Sequence, residues 1–170
     1  MTYDSRNLVA KMVSDAEERL CDARILSTSL SVKSNSAYLL KILAFEVLLK
    51  AAHVVSNGNY PENHDYINIW QGIDAAGRSK ILEVARQTDH HAKLNDISQL
   101  MSNFKRLFQD ARYWWSCNKK MKVNKIYSIV KKEEPGFYKD TIIVYCSIEL
   151  HCLTSGLLVH LKDWLNSQNT

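Results

Sequence analysis

The sequence predicts an all-α protein, an antiparallel helical bundle of four long helices plus one or two short helices between the second and the third. Three observations carry that prediction. The 170 residues include only 5 glycines and 2 prolines, whereas an all-β chain uses both freely in its many turns. Four long windows are rich in apolar residues, and in the first and third of them these recur at spacings of three and four, the period of a helix that buries one face. The breaks between the windows are polar and hold residues that cap helix ends.

The first helix spans about 5 to 30. Leu8 with Val9, then Met12, Ala16, Leu20 and Ala23, line one face, and the acids Asp15, Glu17, Glu18 and Asp22 lie mostly off it. The polar connector "SVKSNS" follows. The second helix spans about 37 to 56 and is apolar almost all round, from Leu39, Leu40 and Ile42 to Val54 and Val55; such a helix belongs at the centre of its bundle. Asn57-Gly58 supplies a left-handed stop. "HDYINIWQGI" then opens a short helix, with Asn63, His64 or Asp65 as its cap. Asp74 and Gly77 mark a further break before the short helix "SKILEVARQ". Residues 95 to 116 carry the next long stripe: Ile97, Leu100 with Met101, Phe104, Leu107 with Phe108, Ala111 and Trp115. "VNKIYSIV" reads as a short strand or an ordered arm, and Glu134-Pro135-Gly136 as a turn. The last helix spans about 138 to 165. One domain over 1–170 is expected, with a basic connector at 118–136.

Bulk composition narrows the function classes. Apolar residues make up 46% and charged residues 24%, ordinary values for a globular protein. No apolar run approaches the eighteen or so residues of a membrane span, and "MTYDSRNLVAKM" lacks the apolar core of a signal peptide. A cytoplasmic protein without a membrane partner is expected. Cys21, Cys117, Cys146 and Cys152 have no ligand-like spacing and read as buried, reduced thiols. The net charge of +4 is local: six lysines and no acid lie between Asn118 and Lys132, which leaves the rest of the chain at −2.

Few residues are candidates for chemistry. With Glu46 at 0° on a helical wheel, Lys50 falls near ~40° and His53 near ~−20°, a polar line on an otherwise apolar helix. Glutamate four residues before lysine is the favourable order for an ion pair, so the line is either a structural pair on the wet edge of the helix or the wall of a cleft. His64-Asp65 is similar to the metal-binding pair of the HD phosphohydrolases, but the spacing to His53 and Asp74 supports no metal site. His90-His91 lies in a polar loop and reads as solvated, while His151 and His160, nine apart, face opposite sides of their helix. Neither a nucleophile elbow nor a glycine-rich phosphate loop is present. No metal and no cofactor are expected. Arg112, Tyr113 and Trp114 lead directly into the lysine-rich segment; cations beside rings suit single-stranded nucleic acid, with Lys119, Lys120, Lys122 and Lys125 on phosphates and the aromatics under bases.

Taken together, "AFEVLLKAAHVVSNGNYPENHDYINIW" and "FKRLFQDARYWW" resemble the HEPN superfamily of small helical proteins. The likeness lies in a glutamate and lysine on a greasy second helix, a turn, "HD" opening a short helix, and an Arg-Tyr pair on a later helix. It implies a HEPN-like bundle that dimerises, with the ligand site at the dimer cleft. Glu46, Lys50, His53, His64, Arg112 and Tyr113 are the ligand-binding residues so implied. Many members are metal-independent ribonucleases whose arginine is followed by four to six residues, the first usually polar, and then a histidine. Here Arg112 is followed at the sixth residue by Asn118, and Tyr113 replaces the usual polar neighbour. The resemblance therefore points to a non-catalytic member that binds RNA, a nucleotide or a partner protein such as a nucleotidyltransferase or antitoxin, in a toxin–antitoxin or defence system. The alternatives are a divergent ribonuclease that uses Arg112 with His53 or His64, and a purely structural interaction module.

Overall fold

The computed structural model describes residues 5–29, 35–112 and 146–167, the side chains of 29, 35 and 109–112 excepted. Among these residues there are six helices and no strand: α1 (Ser5–Ser29), α2 (Asn35–Asn57), α3 (Tyr66–Gly72), α4 (Ala75–Thr88), α5 (Ile97–Arg112) and α6 (Ser147–Ser167). The expected strand or arm at "VNKIYSIV", and the whole basic connector, lie outside the described residues.

The helix that is apolar on every side is the one that every neighbour needs. α2 packs against α1, α3, α5 and α6. Ile42, Phe45, Leu48, Leu49 and Ala52 on it are fully buried, each large side chain contributing about 1.5–3 kcal/mol by leaving water. The Phe45 ring meets Tyr66 of α3 and Phe104 of α5 edge-on, at centroid distances of 6.0 and 5.0 Å. α1 lays Val9, Met12, Val13, Ala16 and Ala23 into the core, and α5 adds Leu100, Met101, Phe104 and Leu107. Most of these residues are ones the periodicity names; Leu8, Leu20 and Ile97 are half-buried, and the side chains of Ala111 and Trp115 lie outside the described residues.

The breaks follow from local chemistry. Gly58 adopts φ +73°, and its amide donates to the Val54 carbonyl at 2.7 Å, so the left-handed stop after α2 is real. The cap of α3 is Asp65, which accepts from the amide of Asn68. Asn63 instead accepts from the Asp65 amide at 3.0 Å and steadies the cap from outside. Asp74 caps α4, accepting from the Gly77 amide at 2.7 Å and from the Ser56 hydroxyl at 3.0 Å. Gly77 therefore belongs to the helix rather than to the break before it.

α6 begins at Ser147, not near 138: Cys146 is non-helical, and its carbonyl accepts the first helical bond, from Leu150. α6 lies along α4 and α2. Gly156 permits the approach, since any Cβ there would run into the Ile81 carbonyl of α4. Next to this contact, the half-buried His160 ring faces Gly77, and its Nε2 is buried without a hydrogen-bond partner among the described residues. Of the cysteines, Cys146 and Cys152 are buried thiols as expected, but Cys21 is exposed on α1; Cys117 lies outside the described residues.

Candidate functional site

A carboxylate in an apolar core is tolerable only if donors surround it. Glu46 is 7% exposed and has three donors. Its Oε1 takes the Lys50 ammonium at 3.2 Å and His64 Nδ1 at 2.6 Å, and its Oε2 takes the Tyr66 hydroxyl at 2.6 Å. Lys50, one turn on, is 3% exposed and touches the Tyr60 hydroxyl at 3.4 Å while lying 5.0 Å from the centre of that ring. The pair expected on a wet edge of α2 is thus buried and roofed by the α2–α3 connection.

Each partner arrives for a local reason. The stop at Gly58 turns the chain back over the end of α2, and the Asp65 cap fixes the start of α3. His64, immediately before that cap, therefore reaches Glu46 from above, and Tyr66, in the first turn of α3, reaches it from the core side. Because an ionised carboxylate only accepts, His64 Nδ1 carries a proton, and a neutral His64 keeps its lone pair on Nε2. The His64 ring lies nearly parallel to Phe108 of α5, 14° between planes and 6.1 Å between centroids. Its side chain is still 62% exposed. The ring is thus held by one edge and one face, with the rest in solvent. Tyr66 lies fully inside; burial, reinforced by the hydrogen bond to Glu46, drives its hydroxyl pKa far above the ordinary tyrosine value.

The structure joins some of the expected site residues and separates others. Glu46, Lys50 and His64 converge. His53 does not join them: its Nδ1 lies 3.3 Å from the Asn59 carbonyl, and its ring packs so closely on Gly72 that a Cβ there would come within 2.5 Å. His53 thus seats the end of α3 on α2, helped by Asn57, whose amide donates to the Gly72 carbonyl at 2.7 Å. Arg112 is the last residue of α5, one helical turn beyond Phe108. Its side chain, together with Tyr113, Lys119, Lys120, Lys122 and Lys125, lies outside the described residues. Tyr60, Tyr66 and Phe108 are not among the site residues that the sequence suggests. The signal for Tyr66 was present in principle, since a buried tyrosine hydroxyl needs a polar partner and a buried glutamate needs donors.

The arrangement holds one imidazole in a fixed tautomer at the surface, beside an exposed tyrosine. It offers a ring face for stacking and a nitrogen for accepting or taking up a proton. Comparison with known proteins adds no relative: the chain matches no family model, no curated protein and no solved structure.

Proposed function

We propose that this chain is a HEPN-like bundle that binds single-stranded RNA, or a nucleotide, without cleaving it. The observation that carries the reading is the His64 ring, fixed through Glu46 and Phe108 yet largely in solvent. A rigid exposed ring is a stacking platform for a base, worth about 1–3 kcal/mol per base. Phe108 also ties that ring to α5, whose chain runs on through Arg112 and Tyr113 into the segment with six lysines. Stacking and phosphate neutralisation would therefore follow one another along the chain. A two-fold dimer fits the same reading, since α6 exposes the large apolar side chains of Ile148 and Val159. Sedimentation equilibrium tests that part, and a monomer at micromolar concentration counts against it.

Fluorescence anisotropy with a labelled single-stranded RNA, measured across a salt series, tests the reading. Each phosphate-contacting cation contributes roughly −0.7 to the slope of log affinity against log salt. Neutralising Lys119, Lys120, Lys122 and Lys125 together should flatten the slope by nearly 3. His64→Ala should weaken binding while leaving the slope unchanged. Absence of binding at low salt sinks the proposal and leaves a protein partner, a nucleotidyltransferase or antitoxin among them, as the occupant of this surface.

The Glu46–His64 contact favours one second reading. A carboxylate that fixes the tautomer of an exposed histidine also prepares a general base, so a divergent ribonuclease using His64 and Arg112 is the alternative. RNA cleavage that persists in chelator, and is lost in both His64→Ala and Arg112→Ala, would establish it.

A further inference from the structure

We propose that Asp89, His90 and His91, in the turn between α4 and α5, bind one divalent transition-metal ion of the zinc class. The pair is solvated, as the sequence predicts, and the turn holds its donors near one another. The ligand atoms of the three side chains lie within 4.8 Å of one another, and the two imidazole rings are 3.9 Å apart at 42°. Tetrahedral zinc, with bonds of about 2.0–2.1 Å, needs donors roughly 3.3 Å apart. Both histidines are exposed, so rotation of their side chains can close the difference without moving the backbone.

The turn beneath them is already fixed. The His91 amide donates to Asp89 Oδ1 at 2.8 Å, and the Ala92 amide to the Asp89 carbonyl at 3.2 Å. The turn is also tied to α6, where the Lys93 amide donates to Glu149 at 3.1 Å. Leu94 is buried just beyond. A backbone held in this way loses little further freedom when the side chains close on an ion, which favours binding.

The donor set selects the ion. Two imidazole nitrogens and one carboxylate suit zinc, nickel or copper, whereas magnesium and calcium take oxygen ligands. Three protein donors leave a fourth position for water or for an atom of a bound molecule. Both imidazoles coordinate through a deprotonated nitrogen, so acid competes with the ion for them.

The test is a zinc titration of the full-length chain against a chromophoric chelator at about pH 7.5, above the ordinary histidine pKa. Cobalt(II) absorption serves as a report on the donors. One ion per chain is expected. His90→Ala and His91→Ala should each weaken binding by more than about tenfold, since even outer partners of a metal ligand are worth 10–100-fold. His151→Ala, an exposed histidine on α6, should change nothing. All three positions are exposed, so circular dichroism should show the helices intact. Zinc binding with unchanged affinity in the His90→Ala/His91→Ala double variant overturns the proposal, as does the absence of binding at micromolar zinc.

Discussion

Glu46 and His64 stand 18 residues apart in the chain and meet at 2.6 Å, the carboxylate inside the bundle and the imidazole at its surface. The contact closes the α2–α3 connection over the centre of the fold. It also means that a change at Glu46 is felt in the core and at the exposed ring together.

Glu46→Gln should be costly because it strands Lys50, whose side chain is 4% exposed. Breaking one partner of a buried pair typically costs about 3–5 kcal/mol. The double variant Glu46→Gln/Lys50→Met should recover part of that loss, since no unpaired charge remains. Urea denaturation checks both, and equal stability of the wild type and Glu46→Gln would refute the geometry.

Tyr66→Phe removes one donor to the same carboxylate. A hydrogen bond to a charged group contributes about 1.5–3 kcal/mol, and the midpoint of denaturation should fall accordingly. Because burial and Glu46 hold the Tyr66 proton, the phenolate absorbance that develops as folded protein is taken through pH 10.0, the ordinary tyrosine value, should be the same in the variant and the wild type.

Gly156→Ala places a methyl group against the Ile81 carbonyl, which is backbone and cannot rotate aside. Overpacking of this kind costs about 1–3 kcal/mol. A thermal midpoint equal to that of the wild type would mean that α4 and α6 are not in contact there.

Leu48→Ala opens a cavity beside Phe45 in the most central helix, and the expected loss is about 2–5 kcal/mol. Thermal denaturation reads it directly.

His160 gives the stability a pH dependence. Burial pushes its pKa below 6.5, against the opposing pull of Asp74 and Asp163, with Lys80 acting in the same direction as burial. In the window between the folded and unfolded values the unfolded chain holds more protons, so stability rises with pH there. It is lost as the pH falls from 6.5 toward the folded value. His160→Gln cannot titrate, and its stability should vary less across that window. Asp74 has a lowered pKa, through the Gly77 amide first and the Ser56 hydroxyl second. Its contribution is lost at lower pH, as the solution becomes acid enough to protonate it in the folded state.

The amino-acid sequence by itself determined that the protein is helical, which faces of α1 and α5 are buried, that α2 is central, and where α2 stops. Those properties reside in period, circumference and one glycine, all local along the chain. It also marked Glu46 and Lys50 as an odd pair on a greasy helix. Only the tertiary structure decided what the oddity is for. It buried the pair, brought His64 and Tyr66 onto the carboxylate from across a turn, and sent His53 to Gly72 instead, although a helical wheel puts all three α2 residues in one line. It set the start of the last helix at Ser147, where the non-helical Cys146 supplies the first helical acceptor. The physical reason is the same in each case. Periodicity states which side of a helix leaves water, but which donor reaches a buried charge depends on where a turn and a cap return the chain, and that is settled between elements rather than within them.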